Sequence, residues 1–211
     1  MLIGGCGNLT GDTERQKVKE EAKTLYNVEK KALDQNRVLN ADEVKKVTQS
    51  FDKIAASASP EEAKKLRAMT ESVTSYRSKL EAFKSLGGAK VETLKSREDL
   101  DNRIAMVDDL TAKSKQVEAA CAANDPDPAN LRTLDLEQQL LGKIRQQLMF
   151  YKAHYGKWQT SPSGPTRFAV SPAELAQFNS VAADIKSLGA QQMQLMKKNT
   201  EERLGKLKNS Q

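Results

Sequence analysis

An unbroken apolar seam in the first half of the chain constrains the fold most strongly. It begins after the stretch 59–62, Ser-Pro-Glu-Glu, where serine and the glutamate three residues later match a capping box and proline takes the first helical position. It ends at Gly87 and Gly88, and glycine often follows the C-terminus of a helix. The apolar residues between them recur at intervals of three and four: Leu66, Met69, Val73, Tyr76, Leu80 and Phe83. The segment therefore predicts one helix of about 25 residues.

Similar start and stop signals predict five further helices. Capping residues precede the apolar periodic segments, and asparagine, glycine or proline follows most of them. The predicted helices run from Asp12 and Thr13 to about Arg37, from Asn40 through Ile54, from beyond Gly88 to about Ala123, from about Leu131 to Trp158, and from Ser171 to about Lys197.

These helices predict an all-α fold, an elongated antiparallel bundle of long helices in a single domain over residues 12–211. Ala, Glu, Lys, Leu and Arg make up 96 of the 211 residues, which is close to the share typical of long helices. Short connections favour antiparallel neighbours, because each apolar stripe then meets the next without a long crossover. Residues 157–170 alternate with period two around a Ser-Pro-Ser-Gly-Pro turn, so this segment is predicted as a short β-hairpin or a plain loop.

Few residues in the sequence suit catalysis. The chain has one histidine, His154, and no group of histidines, cysteines or carboxylates at metal-ligand spacing. Cys121 lies on a different predicted helix from His154, and no glycine-rich phosphate loop is present. We therefore expect no catalytic activity, no cofactor and no metal.

The main cluster of chemical interest is aromatic. Five of the ten aromatic residues fall between Phe150 and Phe168, mixed with basic side chains. Such a cluster can simply pack the hairpin onto the bundle, or it can bind a partner through aromatic and cationic contacts. The candidate partner-binding residues are Tyr151, His154, Tyr155, Trp158, Arg167 and Phe168.

The basic net charge of +6 does not by itself indicate nucleic-acid binding. Lysine and glutamate interleave at helical spacing through most of the chain, which is typical of a solvated helix face. The excess is concentrated in the last quarter, where Lys186 to Lys208 is the segment to which a nucleic acid would bind.

The N-terminus resembles the lipobox of bacterial lipoproteins. Leu2, Ile3, Gly4, Gly5 and Cys6 place an aliphatic residue and small residues before the cysteine that receives the diacylglyceryl group in that class. Only five residues, none of them charged, precede Cys6, so we expect the sequence to begin inside a signal peptide. Residues 1–11 are then a signal remnant and a polar tether. The alternative is an ordinary cytosolic start with a free Cys6.

With this motif, the chain is similar to a functionally uncharacterised family of helical lipoproteins of Gram-negative bacteria. The likeness covers the lipobox and residues 150–195, including the aromatic-Asn pair Phe178 and Asn179. It implies lipidation at Cys6 and no catalytic residue. Gly7 rather than aspartate after the cysteine resembles the outer-membrane sorting pattern.

Two functions are consistent with these observations. The first is a cell-envelope lipoprotein that faces the periplasm, is held on a membrane by its lipid anchor, and presents a helical interaction or structural module to an unidentified protein or envelope partner. The alternative is a cytosolic helical adaptor or coiled-coil assembly protein, associated with nucleic acid through its basic C-terminal end.

Overall fold

The computed structural model describes residues 12–35, 37, 39–124, 127–161 and 164–209. Within these residues the chain forms an all-α helical bundle with one short β-hairpin, which confirms the predicted fold class. The elements are α1 (Asp12–Asp34), α2 (Ala41–Ala56), α3 (Pro60–Ser85), α4 (Arg97–Asn124), α5 (Pro128–Ala153), β1 (Trp158–Ser161), β2 (Gly164–Phe168) and α6 (Pro172–Asn209). In this described part, no helix is both long and apolar enough to cross a bilayer.

Capping interactions fix the starts of α2 and α3 where the sequence predicts them. The backbone N–H of Glu43 donates to Asn40 Oδ1 (2.9 Å), and the backbone N–H of Asn40 donates to Glu43 Oε2 (3.0 Å). The same reciprocal pair joins Ser59 and Glu62, at 3.2 and 3.4 Å. Each box satisfies backbone donors that a helix N-terminus otherwise leaves unpaired.

Two helices end earlier than the sequence predicts, whereas α6 continues to Asn209, beyond its predicted end near Lys197. Helix α1 ends at Asp34 rather than Arg37, whose guanidinium instead pairs with Glu43 at the start of α2 (2.5 Å). Helix α5 ends at Ala153 rather than Trp158. Gly156, with φ at +81°, turns the chain into the hairpin, because glycine adopts this left-handed conformation without the steric cost of a Cβ atom.

The chain divides into two compact units. Unit 1 contains the described residues within 12–75, 116–134 and 191–209, and unit 2 contains those within 76–115 and 135–190. Helices α3, α4, α5 and α6 each contribute residues to both units. A single domain over residues 12–211 stays a prediction.

In unit 1, α1 packs antiparallel to α2. Glu21 on α1 accepts hydrogen bonds from Lys53 (2.6 Å) and Ser50 (2.9 Å) on α2, and the bond from Lys53 lowers the pKa of the Glu21 carboxyl. A small apolar cluster joins three helices: Val18, Ile54 and Leu66. The end of α6 also runs antiparallel to α1, as shown by the ion pairs Lys30–Glu201 (3.7 Å) and Asp34–Lys197 (3.5 Å).

Arg203 forms the centre of a polar layer in unit 1. Its Nη2 donates to Asp127 Oδ2 (2.6 Å) and to Asn130 Oδ1 (2.7 Å), which joins the end of α6 to the start of α5. The guanidinium also lies 5.7 Å from the ring centroid of Tyr26 on α1. Burial is the largest single effect on the Asp127 carboxyl and raises its pKa, but hydrogen bonds from Arg203 and from the Ala129 backbone, together with the nearby positive charges, outweigh burial and lower that pKa.

In unit 2, ion pairs fix the antiparallel order of α4, α5 and α6. Asp108 and Asp101 on α4 pair with Arg145 (2.7 Å) and Lys152 (2.5 Å) on α5, so residue numbers rise on one helix as they fall on the other. Lys143 on α5 pairs with Asp184 on α6 (2.8 Å), and the ring centroids of Phe150 and Phe178 lie 4.8 Å apart, so α5 and α6 are antiparallel as well. The buried apolar side chains of unit 2 are Tyr76, Phe83, Val91, Leu94, Leu100, Ile104, Val107, Leu110, Leu136, Leu141, Leu148 and Tyr151.

The predicted apolar seams correctly identify the helices that pack together. They predict less well which individual residues of those helices are buried. On α3, Met69, Tyr76 and Phe83 are buried, whereas Leu66, Val73 and Leu80 are half-buried. On α6 no residue is buried before Asn199, although its apolar stripe begins at Leu175. Periodicity predicts which face is apolar, but the number of neighbouring helices decides how deeply that face is covered.

Candidate partner-binding site at the aromatic hairpin

The end of α5, the hairpin and the start of α6 together position the aromatic cluster in unit 2. The chain leaves α5 at Ala153, turns at Gly156 and returns through β1 and β2. Helix α6 then begins with a capping box, in which the Ser171 N–H donates to Glu174 Oε2 (2.8 Å) and the Glu174 N–H donates to Ser171 Oγ (3.3 Å). The predicted alternative of a plain loop at residues 157–170 is therefore wrong, and the hairpin prediction is confirmed.

Strand register separates an aromatic face of the hairpin from a basic one. Trp158 pairs with Phe168 and Gln159 pairs with Arg167 in the antiparallel ladder, with an irregularity before Ser161. Successive side chains of a strand point to opposite faces. Trp158 and Phe168 are accordingly half-buried, whereas Lys157, Gln159 and Arg167 are exposed. The exposure of the two basic residues agrees with the alternation in the sequence.

The rings pack mainly against one another. Phe168 lies against Tyr151, Phe150 and Phe178, with centroid separations of 6.0, 5.7 and 4.9 Å. Trp158 lies against Tyr151 (5.8 Å) and Tyr155 (5.5 Å). Offset and edge-to-face contacts at these separations are favourable. The hairpin is thus fastened to α5 and α6 by its aromatic face.

Both tyrosines of the cluster have hydrogen-bond partners within the chain. Tyr151 is only 3% exposed, its hydroxyl accepts a hydrogen bond from Gln147 Nε2 (2.9 Å), and burial raises its pKa to about 12. The Tyr155 hydroxyl donates to the Lys95 carbonyl (3.2 Å), and the Arg97 guanidinium lies 5.5 Å from the Tyr155 ring centroid. Both tyrosines are thus fixed by contacts within the chain, and their rings pack against the aromatic face of the hairpin.

His154 occupies the turn between α5 and the hairpin. Its side chain is 14% exposed, its ring centroid lies 4.5 Å from that of Phe150, and its Nε2 lies 3.7 Å from Glu174 Oε1. Among the described residues, its buried Nδ1 has no hydrogen-bond partner. His154 pairs with Glu174 as a charged group only when it is protonated.

The structure brings together five of the six predicted partner-binding residues. Tyr151, His154, Tyr155, Trp158 and Phe168 lie in or beside the ring cluster, whereas Arg167 lies on the opposite, exposed face of the hairpin. Binding of a partner by these residues stays a prediction. Cys6, the predicted lipidation site, lies outside the described residues.

Phe178 belongs to the cluster but is missing from the predicted set. It lies 4.8 Å from Phe150 and 4.9 Å from Phe168, one turn beyond the α6 capping box. The available signal was its place in the apolar stripe of α6, between Leu175 and Val181, but a stripe does not identify the side chains that pack against it.

In the described part of the chain, no group of three or more His, Cys, Asp or Glu side chains could hold a metal ion. Comparisons with known proteins find no protein-family model, no curated protein and no solved structure that matches this chain.

Proposed function

We propose that this protein is a lipid-anchored component of the bacterial cell envelope, with a helical module that binds a partner without catalysis. The observation that carries the proposal is the motif Leu2–Cys6, in which a cysteine follows aliphatic and small residues. The polar segment from Gly7 to Gly11 has the composition of a tether between an anchor and the first helix. The lipobox resemblance supports the envelope location and a periplasm-facing module.

The hairpin supports a binding role for the module. A short two-stranded ribbon is marginally stable alone, but here its aromatic face is packed onto α5 and α6. The packing therefore keeps the exposed face in a fixed orientation. This face is defined as Lys157, Gln159 and Arg167. Rigid presentation of polar groups lowers the entropy cost of binding.

The test is membrane fractionation of cells that express the complete gene from its own locus. The wild-type protein and a Cys121→Ala control are expected in the membrane fraction, and Cys6→Ser in the soluble fraction. Acyl chains contribute roughly 0.8 kcal/mol per buried CH₂, so losing them removes most of the membrane affinity. Equal fractionation of the wild-type protein and Cys6→Ser would contradict the anchor.

A cytosolic helical adaptor is the second candidate, and the apolar stripe of α6 favours it. Leu175, Val181, Ile185 and Leu188 stay half-buried in unit 2, as on helices that pair with other helices. The same fractionation separates the two candidates, because a cytosolic adaptor leaves the wild-type protein in the soluble fraction.

A further inference from the structure

The aromatic hairpin lies inside a long stretch of sequence without acidic residues. No aspartate or glutamate occurs between Glu137 and Glu174, and no other such interval in the chain is as long. Five cationic residues fall inside it: Lys143, Arg145, Lys152, Lys157 and Arg167. These positive charges are either neutralised by carboxylates from other parts of the chain or remain available to an anionic partner.

Three of the five cations are neutralised by helices of the same unit, through the ion pairs of α5 with α4 and α6. The other two, Lys157 and Arg167, form no ion pair with any described residue. The charge of Lys157 helps to lower the pKa of Glu174, but that carboxylate already accepts hydrogen bonds from Ser171. The unneutralised charge of the stretch therefore lies on the hairpin.

The hairpin register makes these two cations neighbours on one exposed face. The Ala169 N–H donates to the Lys157 carbonyl (2.7 Å), and Gln159 pairs with Arg167. Lys157 and Arg167 are consequently diagonal cross-strand neighbours, and such positions lie about 7–8 Å apart. Long side chains at that spacing reach one phosphate group or two adjacent ones.

We propose that the exposed face of the hairpin binds the phosphate groups of an anionic phospholipid surface. The inference rests on the proposed lipid anchor, which brings this face close to a bilayer and adds to the membrane affinity of its two charge contacts. A protein partner fits this face less well. Hot spots of protein interfaces lie in well-packed, desolvated pockets and usually include an aromatic anchor, and here the rings of Trp158 and Phe168 pack inward. Mobile headgroups move to the cations and need no such anchor.

The test uses the full chain with Cys6→Ser, without lipid, and vesicles of phosphatidylcholine with or without about 30% phosphatidylglycerol. The hairpin variant carries Lys157→Gln and Arg167→Gln. The matched control carries Lys115→Gln and Lys186→Gln, which remove two exposed cations of unit 2. Cosedimentation at about 50 mM salt measures partitioning, and circular dichroism checks that every variant is folded.

The hairpin variant is expected to lose phosphatidylglycerol-dependent partitioning by about 10- to 30-fold, and the control by less than about threefold. Equal losses in both variants overturn the proposal, because they indicate a general effect of net charge. No preference of the unsubstituted chain for phosphatidylglycerol also overturns it. Tighter hairpin-dependent binding to polyglutamate than to vesicles of equal charge assigns the face to an acidic protein instead. Since Cys6 carries no lipid here, these outcomes are independent of whether the anchor exists.

Discussion

The ring of Phe168 stacks on the ring of Tyr151, with the two planes only 11° from parallel and the centroids 6.0 Å apart. Tyr151 is buried on α5, and Phe168 ends β2. This contact fastens the second strand of the hairpin to the helical core of unit 2. Trp158, opposite Phe168 in the ladder, is consequently held against Tyr151 and Tyr155.

Removing the Phe168 ring is expected to loosen the hairpin and expose Trp158, the single tryptophan of the chain. Phe168→Ala loses a half-buried ring and its stacking contact, at a cost of about 1–3 kcal/mol. Trp158 emission should shift to the red and become more accessible to iodide. Arg167→Ala, on the exposed face, should leave both signals unchanged. Equal spectra for the wild-type protein and Phe168→Ala would show that Phe168 does not hold the hairpin.

Two neighbouring positions on α5 are expected to differ in their contribution to stability. Leu148 is fully buried (0% exposed) and Ile144, one turn earlier, is half-buried. Leu148→Ala should cost about 2–5 kcal/mol, whereas Ile144→Ala leaves a site that water already reaches and should cost less than about 2 kcal/mol. Urea unfolding followed by circular dichroism measures both. The reverse order of costs would mean that the core of unit 2 is misplaced.

Arg203→Met is expected to destabilise unit 1 by about 1–3 kcal/mol. The substitution keeps an unbranched apolar stem but removes the guanidinium and its hydrogen bonds to Asp127 and Asn130. Lys65→Met is the control, since it breaks only an exposed ion pair with Glu61, and exposed ion pairs contribute little to stability. If urea unfolding shows the same small loss for both variants, the polar layer does not stabilise the unit.

Acid is expected to weaken the junction between α1 and α2 through Glu43. Hydrogen bonds from Arg37 and from the Asn40 backbone lower the pKa of Glu43 to about 2. A carboxyl with a lowered folded-state pKa stabilises the fold above its unfolded pKa, near 4.3, and this contribution disappears as the pH falls toward 2. The difference in unfolding free energy between the wild-type protein and Glu43→Gln should therefore shrink from pH 6 to pH 2.

The control for this titration is Glu71→Gln, at an exposed position in the middle of α3. Its free energy of unfolding should follow that of the wild-type protein through the acid range. A Glu43→Gln difference that stays constant with pH would show that Glu43 is not held ionised by Arg37.

Local chemistry in the sequence predicts most of the helix starts, because capping boxes act within four residues. The Ser59 and Ser171 signals both begin helices where expected, and the Arg37 and Trp158 boundaries are wrong. Helix ends depend on partners farther along the chain, such as Glu43 for Arg37. Periodicity predicts that α6 has an apolar stripe, but it does not predict that the stripe is only half-buried. The extent of its burial depends on which helices pack beside α6.

The candidate site is predictable where alternation alone decides the outcome. Period two in β1 and β2 separates Trp158 and Phe168 from Lys157 and Arg167 before any contact is known. Phe178 enters the cluster from α6, so its place depends on how that helix packs. Neutralisation of three cations by α4 and α6 also depends on packing, and only the folded chain shows which charges remain.

Mass spectrometry of the N-terminal tryptic peptide shows whether Cys6 carries the proposed lipid anchor. The protein is extracted with detergent from cells that express the complete gene, and the peptide that ends at Arg15 is analysed. If the chain is lipid-anchored, this peptide begins at Cys6 and carries a diacylglyceryl group on the Cys6 sulfur. A peptide that still contains Gly5 and has a free thiol at Cys6 would contradict the account.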